Sequence, residues 1–171
     1  MQLGGRKLNI SIVKPDTAHA EAISGICSVG WRQTVEGKLS EEHQLNNIAF
    51  WYNPERIKSD IEKGVYSHIA LVGSEVVGVI GGWMTAPQIG EVFVLYMDER
   101  YRYQGIGRQL LDALTKYQIE NGATEQWVSV QEGNQRGIPF YEARGFKYRE
   151  KKTEVTDTGE QQVSLRYSRT I

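Results

Sequence analysis

Cysteine is almost missing from this chain: of 171 residues, only Cys27 carries a thiol. That excludes a disulfide scaffold and a cysteine-based zinc cluster. Histidine is scarce too, and His19, His43 and His68 stand without ligand spacing, so no metal is expected. Neither sign of charge dominates, with 20 Lys and Arg against 21 Asp and Glu for a net −1. Such a balance argues against broad capture of nucleic acid or of an anionic membrane. No apolar run approaches bilayer-spanning length, and the N-terminus lacks the succession of a signal peptide. Repeats, linkers and low-complexity tracts are absent as well. The expectation is one cytoplasmic domain over residues 1–171, with no nucleic-acid and no membrane partner.

What is present is an ordinary globular mixture, 40% apolar and 24% charged. Leu8 to Val13 reads as a strand ended by Pro15-Asp16. Asp16 and Thr17 then cap a helix to about Thr34, with Ala20, Ile23, Ile26 and Cys27 on one face. Between Val35 and Lys63, Ser40 and the run Asn53-Pro54-Glu55 look like further helix starts. Tyr66–Val72 and Val76–Met84 flank a turn as a hairpin, and Glu91–Met97 follows as a strand. Gly78-Val79-Ile80-Gly81-Gly82 lies inside a strand and marks a bulge or a close-packing site.

From Gly105 the period changes, and Ile106, Leu110, Leu114 and Tyr117 fall on a helical face that stops at Asn121-Gly122. Trp127–Val130 reads as a strand, Asn134–Ala143 as a short helix and Gly145–Lys152 as a strand. In the last strand Val163, Leu165 and Tyr167 alternate. The order βααβββαβαββ predicts an α+β domain built on a mixed sheet.

One stretch suggests chemistry. A strand ending in Leu95-Tyr96-Met97 runs through Asp98–Tyr101 into Arg102-Tyr103-Gln104-Gly105-Ile106-Gly107-Arg108, where a helix opens. Free backbone N–H groups at the positive end of a helix dipole suit a phosphate or pyrophosphate. Gly105 and Gly107 remove side chains that would hold an anion away, and Arg102 and Arg108 add charge. A bare G-x-G also serves simple turn geometry. The Walker Gly-Lys-Ser/Thr and the third Rossmann glycine are both missing.

The string R-x-x-G-x-G at Arg102–Gly107, placed after Leu-Tyr-Met, resembles the acetyl-CoA motif of the GNAT superfamily of N-acetyltransferases. Downstream, Asn134-x-x-Gly137-Ile138-x-Phe140-Tyr141-Glu142-Ala143-x-Gly145-Phe146 is similar to that family's second motif, in the family's order and separation. The resemblance covers about Glu91 to Phe146. It implies a GNAT-like fold, a mixed and mostly antiparallel sheet of about seven strands flanked by about four helices. It also implies transfer of an acetyl group from acetyl-CoA, without a metal, to a primary amine of a small molecule, such as a polyamine, or of a peptide.

By the same resemblance, backbone groups of Leu95, Tyr96 and Met97 would pair with the pantetheine arm. The amides of Gln104, Gly105, Ile106, Gly107 and Arg108, with Arg102 and Tyr103 beside them, would hold the pyrophosphate. Asn134 would touch the pantetheine or cap its helix, and Tyr141 would assist the leaving thiolate. Glu91 is the implied base, direct or through a water, and alternation places it on one strand face with Phe93 and Leu95. Pro139 departs from the pattern: either its helix is kinked, or the helix begins near Ile138 after a separate turn.

Acceptor contacts would come from the first helices, where Trp31, Glu36, Glu41, Glu42 and Phe50-Trp51-Tyr52 stand. Aromatic rings beside carboxylates suit a cationic amine, and they equally suit plain core. Two rival functions share these residues: an acyl-CoA-binding sensor without turnover, and a nucleotide-binding protein. Many relatives dimerise, so a homodimer stays open by analogy.

Overall fold

The computed structural model describes residues 8–171. Seven strands form one sheet in the order β1-β2-β3-β4-β5-β7-β6. They are β1 (Ile10–Val13), β2 (Tyr66–Val72), β3 (Glu75–Ala86), β4 (Ile89–Met97), β5 (Glu125–Gln131), β6 (Lys147–Val155) and β7 (Gln161–Thr170). Every neighbouring pair is antiparallel except β4 and β5, which run parallel. That single parallel step requires a crossover, and the helix Ile106–Glu120 makes it.

The helices are α1 (Ala20–Val35), α2 (Glu41–Trp51), α3 (Pro54–Glu62), α4 (Ile106–Glu120) and α5 (Gly137–Glu142). Five α-helices agree with the expected number of about four, and the segment after Val35 forms two of them at the starts read near Ser40 and Asn53. Each has its own cap: Ser40 accepts from the His43 N–H, and Asn53 accepts from the Arg56 N–H with Pro54 in the first turn. Asp16 caps a short 3₁₀ turn, Thr17–His19, so α1 proper starts later than its cap suggested.

Alternation along the strands divides the core in two. Ile69 and Val79 point to α1–α3 and pack with Ile23, Cys27, Val35 and Ile57. Ala70 and Ile80 point the other way, to Leu110, Leu111 and Leu114 of α4 and to Tyr141 of α5.

In β4 the alternation breaks. Gly81 pairs with Val94 and Gly82 with Val92, which leaves Phe93 as an extra, bulged residue. A Cβ on Gly82 would come within 2.3 Å of the Glu91 carbonyl oxygen, so the kink demands glycine there. Past the bulge the faces exchange: Val92, Leu95 and Met97 belong to the α4 side, Val94 and Tyr96 to the α1 side. The expectation that Glu91 and Leu95 share a face is therefore corrected, since the bulge inserts an odd residue between them.

The same strand also parts from its neighbour. β4 and β5 pair only from Ile89–Val92 to Glu125–Val128. Beyond that rung β4 runs on to Met97 and β5 to Gln131 with no ladder between them.

Candidate active site

A cavity of about 1430 Å³ opens where the two strands diverge. Its walls include Phe93–Met97 of β4 and Val128–Gln131 of β5, so two backbone edges face each other across it. Edge strands present unpaired N–H and C=O groups that accept an extended chain as an added strand. A β-strand of ligand is what this gap fits.

From the end of β4 the chain enters the glycine turn. Gly105 takes the left-handed conformation with φ 78° and stands immediately before α4. The first N–H groups of α4 then face outward at the positive end of its dipole. Arg102, Tyr103, Gly105, Ile106, Gly107 and Arg108 all border the cavity, and Gln104 of the same turn does not.

Gly107 has another reason than the one its position in the motif suggests. A Cβ there would meet Met97 Cε at 3.0 Å and the Phe140 ring at 3.3 Å, so the glycine lets α4 sit against β4 and α5. Arg102 donates to Gln33 Oε1 of α1 at 2.6 Å, and Arg136 reaches the same oxygen at 3.5 Å. One neutral carbonyl oxygen thus gathers two guanidinium groups at the cavity wall.

Tyr141 also borders the cavity and is buried. Its ring lies edge-on to Phe140 at 5.1 Å and to Phe146 at 5.2 Å. That burial pushes the phenol pKa well above its ordinary value, so at neutral pH it is a hydrogen-bond donor. α5 begins at Gly137, which places Pro139 in the first turn, where a missing N–H costs little. Of the two ways to accommodate the proline, the later start with a preceding turn is the one observed. Asn134 makes that turn: its Oδ1 accepts from the Gly137 N–H at 2.9 Å and from the Arg136 N–H at 3.2 Å.

Glu91 forms an ion pair with Arg166 of β7, and its side chain is only 16% exposed. Arg166 also donates to Ser129 Oγ at 2.8 Å, and Ser129 borders the cavity although Glu91 itself does not. On the side toward α1–α3 the walls are Trp31, Glu36, Trp51 and Tyr52, as expected. Glu41 turns instead to Arg32 at 3.3 Å, and Phe50 is exposed against Arg56.

Several wall residues lie outside the set read from sequence: Gln33, Asp60, Tyr66, Ser129 and Arg136. Arg136 stands two places from Asn134 and could have been found as a charge beside the motif. The others reach the cavity only through the pairing of distant elements. Among the described residues no group of three or more His, Cys, Asp or Glu could hold a metal ion, and no helix is long and apolar enough to cross a membrane.

The sheet is thus split at its parallel step, with a glycine turn bordering the cavity in the split. Residues 30–146 match the sequence profile of the Acetyltransferase (GNAT) family, and the chain belongs to that family. It is similar to a spermidine N(1)-acetyltransferase of Thermoplasma acidophilum, 26% identical over 144 residues, 82% of this chain and 89% of the relative. It is also similar to a mycothiol acetyltransferase of Corynebacterium aurimucosum, 25% identical over 88% of this chain, though it spans only 56% of that protein. In fold it resembles the PaiA N-acetyltransferase of Thermoplasma acidophilum solved with coenzyme A. That likeness has TM-score 0.79 and 24% identity, over 95% of this chain and 99% of the other. The chain is an acetyltransferase.

Proposed function

We propose that the protein moves the acetyl group of acetyl-CoA to a primary amine of a small molecule, a polyamine foremost, by direct attack. A peptide amine is the wider case of the same chemistry. The observation that carries this reading is the unpaired edge of β4, Phe93–Met97, facing a cavity that ends at the glycine turn. A pantetheine arm has amide groups to pair with that edge. Its pyrophosphate then falls at the α4 N-terminus beside Arg102 and Arg108.

In this arrangement the Met97 amide steadies the thioester oxygen as negative charge grows on it. The amine attacks the carbonyl carbon, the tetrahedral intermediate collapses, and the C–S bond breaks. A thiol near pKa ~8.5 leaves more readily than a phenol near ~10 ionises, so Tyr141 need only donate a hydrogen bond to the departing sulfur. An alkylammonium near pKa ~10.4 must first lose a proton. Glu91, tied to the cavity wall through Arg166 and Ser129, takes that proton by way of a water. The polyamine preference is supported by the spermidine relative and by the aromatic residues on the acceptor side.

Thiol release from acetyl-CoA, measured against a panel of amines, tests the proposal. Release that depends on the added amine is expected. Binding of acetyl-CoA without release under any amine would make the protein a sensor instead.

A further inference from the structure

The wall of the cavity extends to α3 and β2. Its walls there are Trp51, Tyr52, Arg56, Asp60, Val65 and Tyr66. Tyr52, Tyr66 and Asp60 are all buried, with Asp60 only 7% exposed. A carboxylate so deep costs several kcal/mol of lost hydration unless something pairs with it.

Its pairing is incomplete. Asp60 Oδ2 accepts from Arg56 Nε at 3.0 Å, one turn away on α3. Oδ1 has no donor among the described residues, whereas an ionised carboxylate offers about four acceptor sites. Arg56 does not supply the rest, because its guanidinium is laid over the Trp51 ring at 4.6 Å and the Phe50 ring at 5.2 Å. Both rings are exposed.

Among the described residues, no cation of the cavity wall other than Arg56 bonds to Asp60. Lys38 donates to the Glu132 carbonyl at 2.8 Å, and Lys152 pairs with Glu154 at 3.0 Å. What remains on this part of the wall is a carboxylate oxygen with the aromatic side chains of Trp51, Tyr52 and Tyr66. Oxygen acceptor and π faces together favour an alkylammonium over an anion or a neutral end.

The geometry points to Asp60 as the anchor for a second, distal ammonium of the acceptor, which makes a diamine or longer polyamine the preferred substrate class. The distance agrees. The Asp60 carbonyl accepts from the Val65 N–H at 2.9 Å, next to Tyr66, and Tyr66 pairs with Gly81, which pairs with Val94, so Tyr66 stands two strand spacings from β4. Two spacings are roughly 10 Å. An extended diamine with a long methylene chain covers that span, and a short one does not.

This inference rests on the proposed function, and the test keeps the two apart. Three acceptors of equal length are compared: diaminooctane, aminooctanol and aminooctanoate, which end in an ammonium, a hydroxyl and a carboxylate. For the wild type, kcat/KM is expected to be about 10- to 100-fold higher for diaminooctane, the worth of a charged hydrogen bond out of water. In Asp60→Asn that advantage falls to within about twofold, with the larger loss of kcat/KM borne by diaminooctane. Asp60→Glu keeps part of the preference.

Equal use of the three amines by the wild type would overturn the role of Asp60, and that measurement needs no variant to fold. A uniform loss for all amines in Asp60→Asn would overturn it as well, marking the carboxylate as structural. No thiol release with any amine, despite thermal stabilisation by acetyl-CoA, would overturn the transferase proposal and this one with it.

Discussion

Tyr141 combines two properties that rarely coincide, a phenol deep in apolar surroundings and a position on the wall of a large cavity. Desolvation holds it protonated, so it keeps a proton to donate. Tyr141→Phe should leave acetyl-CoA affinity unchanged and lower kcat by about 10²–10³, the range for one lost hydrogen bond to developing charge. Wild-type turnover in that variant would reduce Tyr141 to packing against Phe140 and Phe146. Glu91→Gln keeps an acceptor for Arg166 and removes the titrating carboxylate. The acidic limb of kcat/KM against pH should flatten in this variant, and an unchanged profile would remove Glu91 from the reaction. The roles proposed for these two residues came from the sequence only by resemblance. What sequence could not show was the partner of Glu91, since Arg166 lies 75 residues away and meets it across β5.

Among the elements, α5 depends on a turn that precedes it. Asn134 binds two backbone N–H groups with one side-chain oxygen, an arrangement that fixes the path into Gly137. Asn134→Ala should cost about 1 kcal/mol of stability, as helix caps do, and raise KM for acetyl-CoA by loosening the wall that holds Tyr141. Asn134→Asp, which can still accept, should recover the stability in a denaturant titration. Element identities were readable here because period and caps agree: the faces of α1 and α4 follow directly from Ile23, Cys27 and Leu110, Leu114. The bulge at Phe93 was not readable. The glycines opposite it signalled an irregularity in β3, yet which β4 residue would be extruded depends on the pairing of Gly81 and Gly82. For that reason alternation assigned Leu95 to the wrong face.

Taken whole, the molecule buries an unusual set of weak acids between α1–α3 and the sheet. Burial raises the pKa of Cys27, Tyr52, Tyr66 and Tyr96, and Tyr141 follows on the other side of β4. A raised folded pKa in an acid means that the unfolded chain loses its proton first. Stability is therefore full below the unfolded values, near ~8.5 for the thiol and ~10 for the phenols, and falls as pH rises past them. The melting temperature should decline above about pH 8.5 and more steeply near 10, by up to ~1.4 kcal/mol per pH unit for each group. A flat curve to pH 11 would contradict the burial. Tyr52→Phe should make the decline shallower.

The parting of β4 from β5 also has a mechanical side. On one side of it stand β1 to β4 and on the other β5, β7 and β6, joined through four rungs between Ile89–Val92 and Glu125–Val128. A sheet resists shear through its ladder, and here the ladder is interrupted along the wall of the cavity. A ligand that bonded to both edges would add the missing rungs and stiffen the sheet between its two halves.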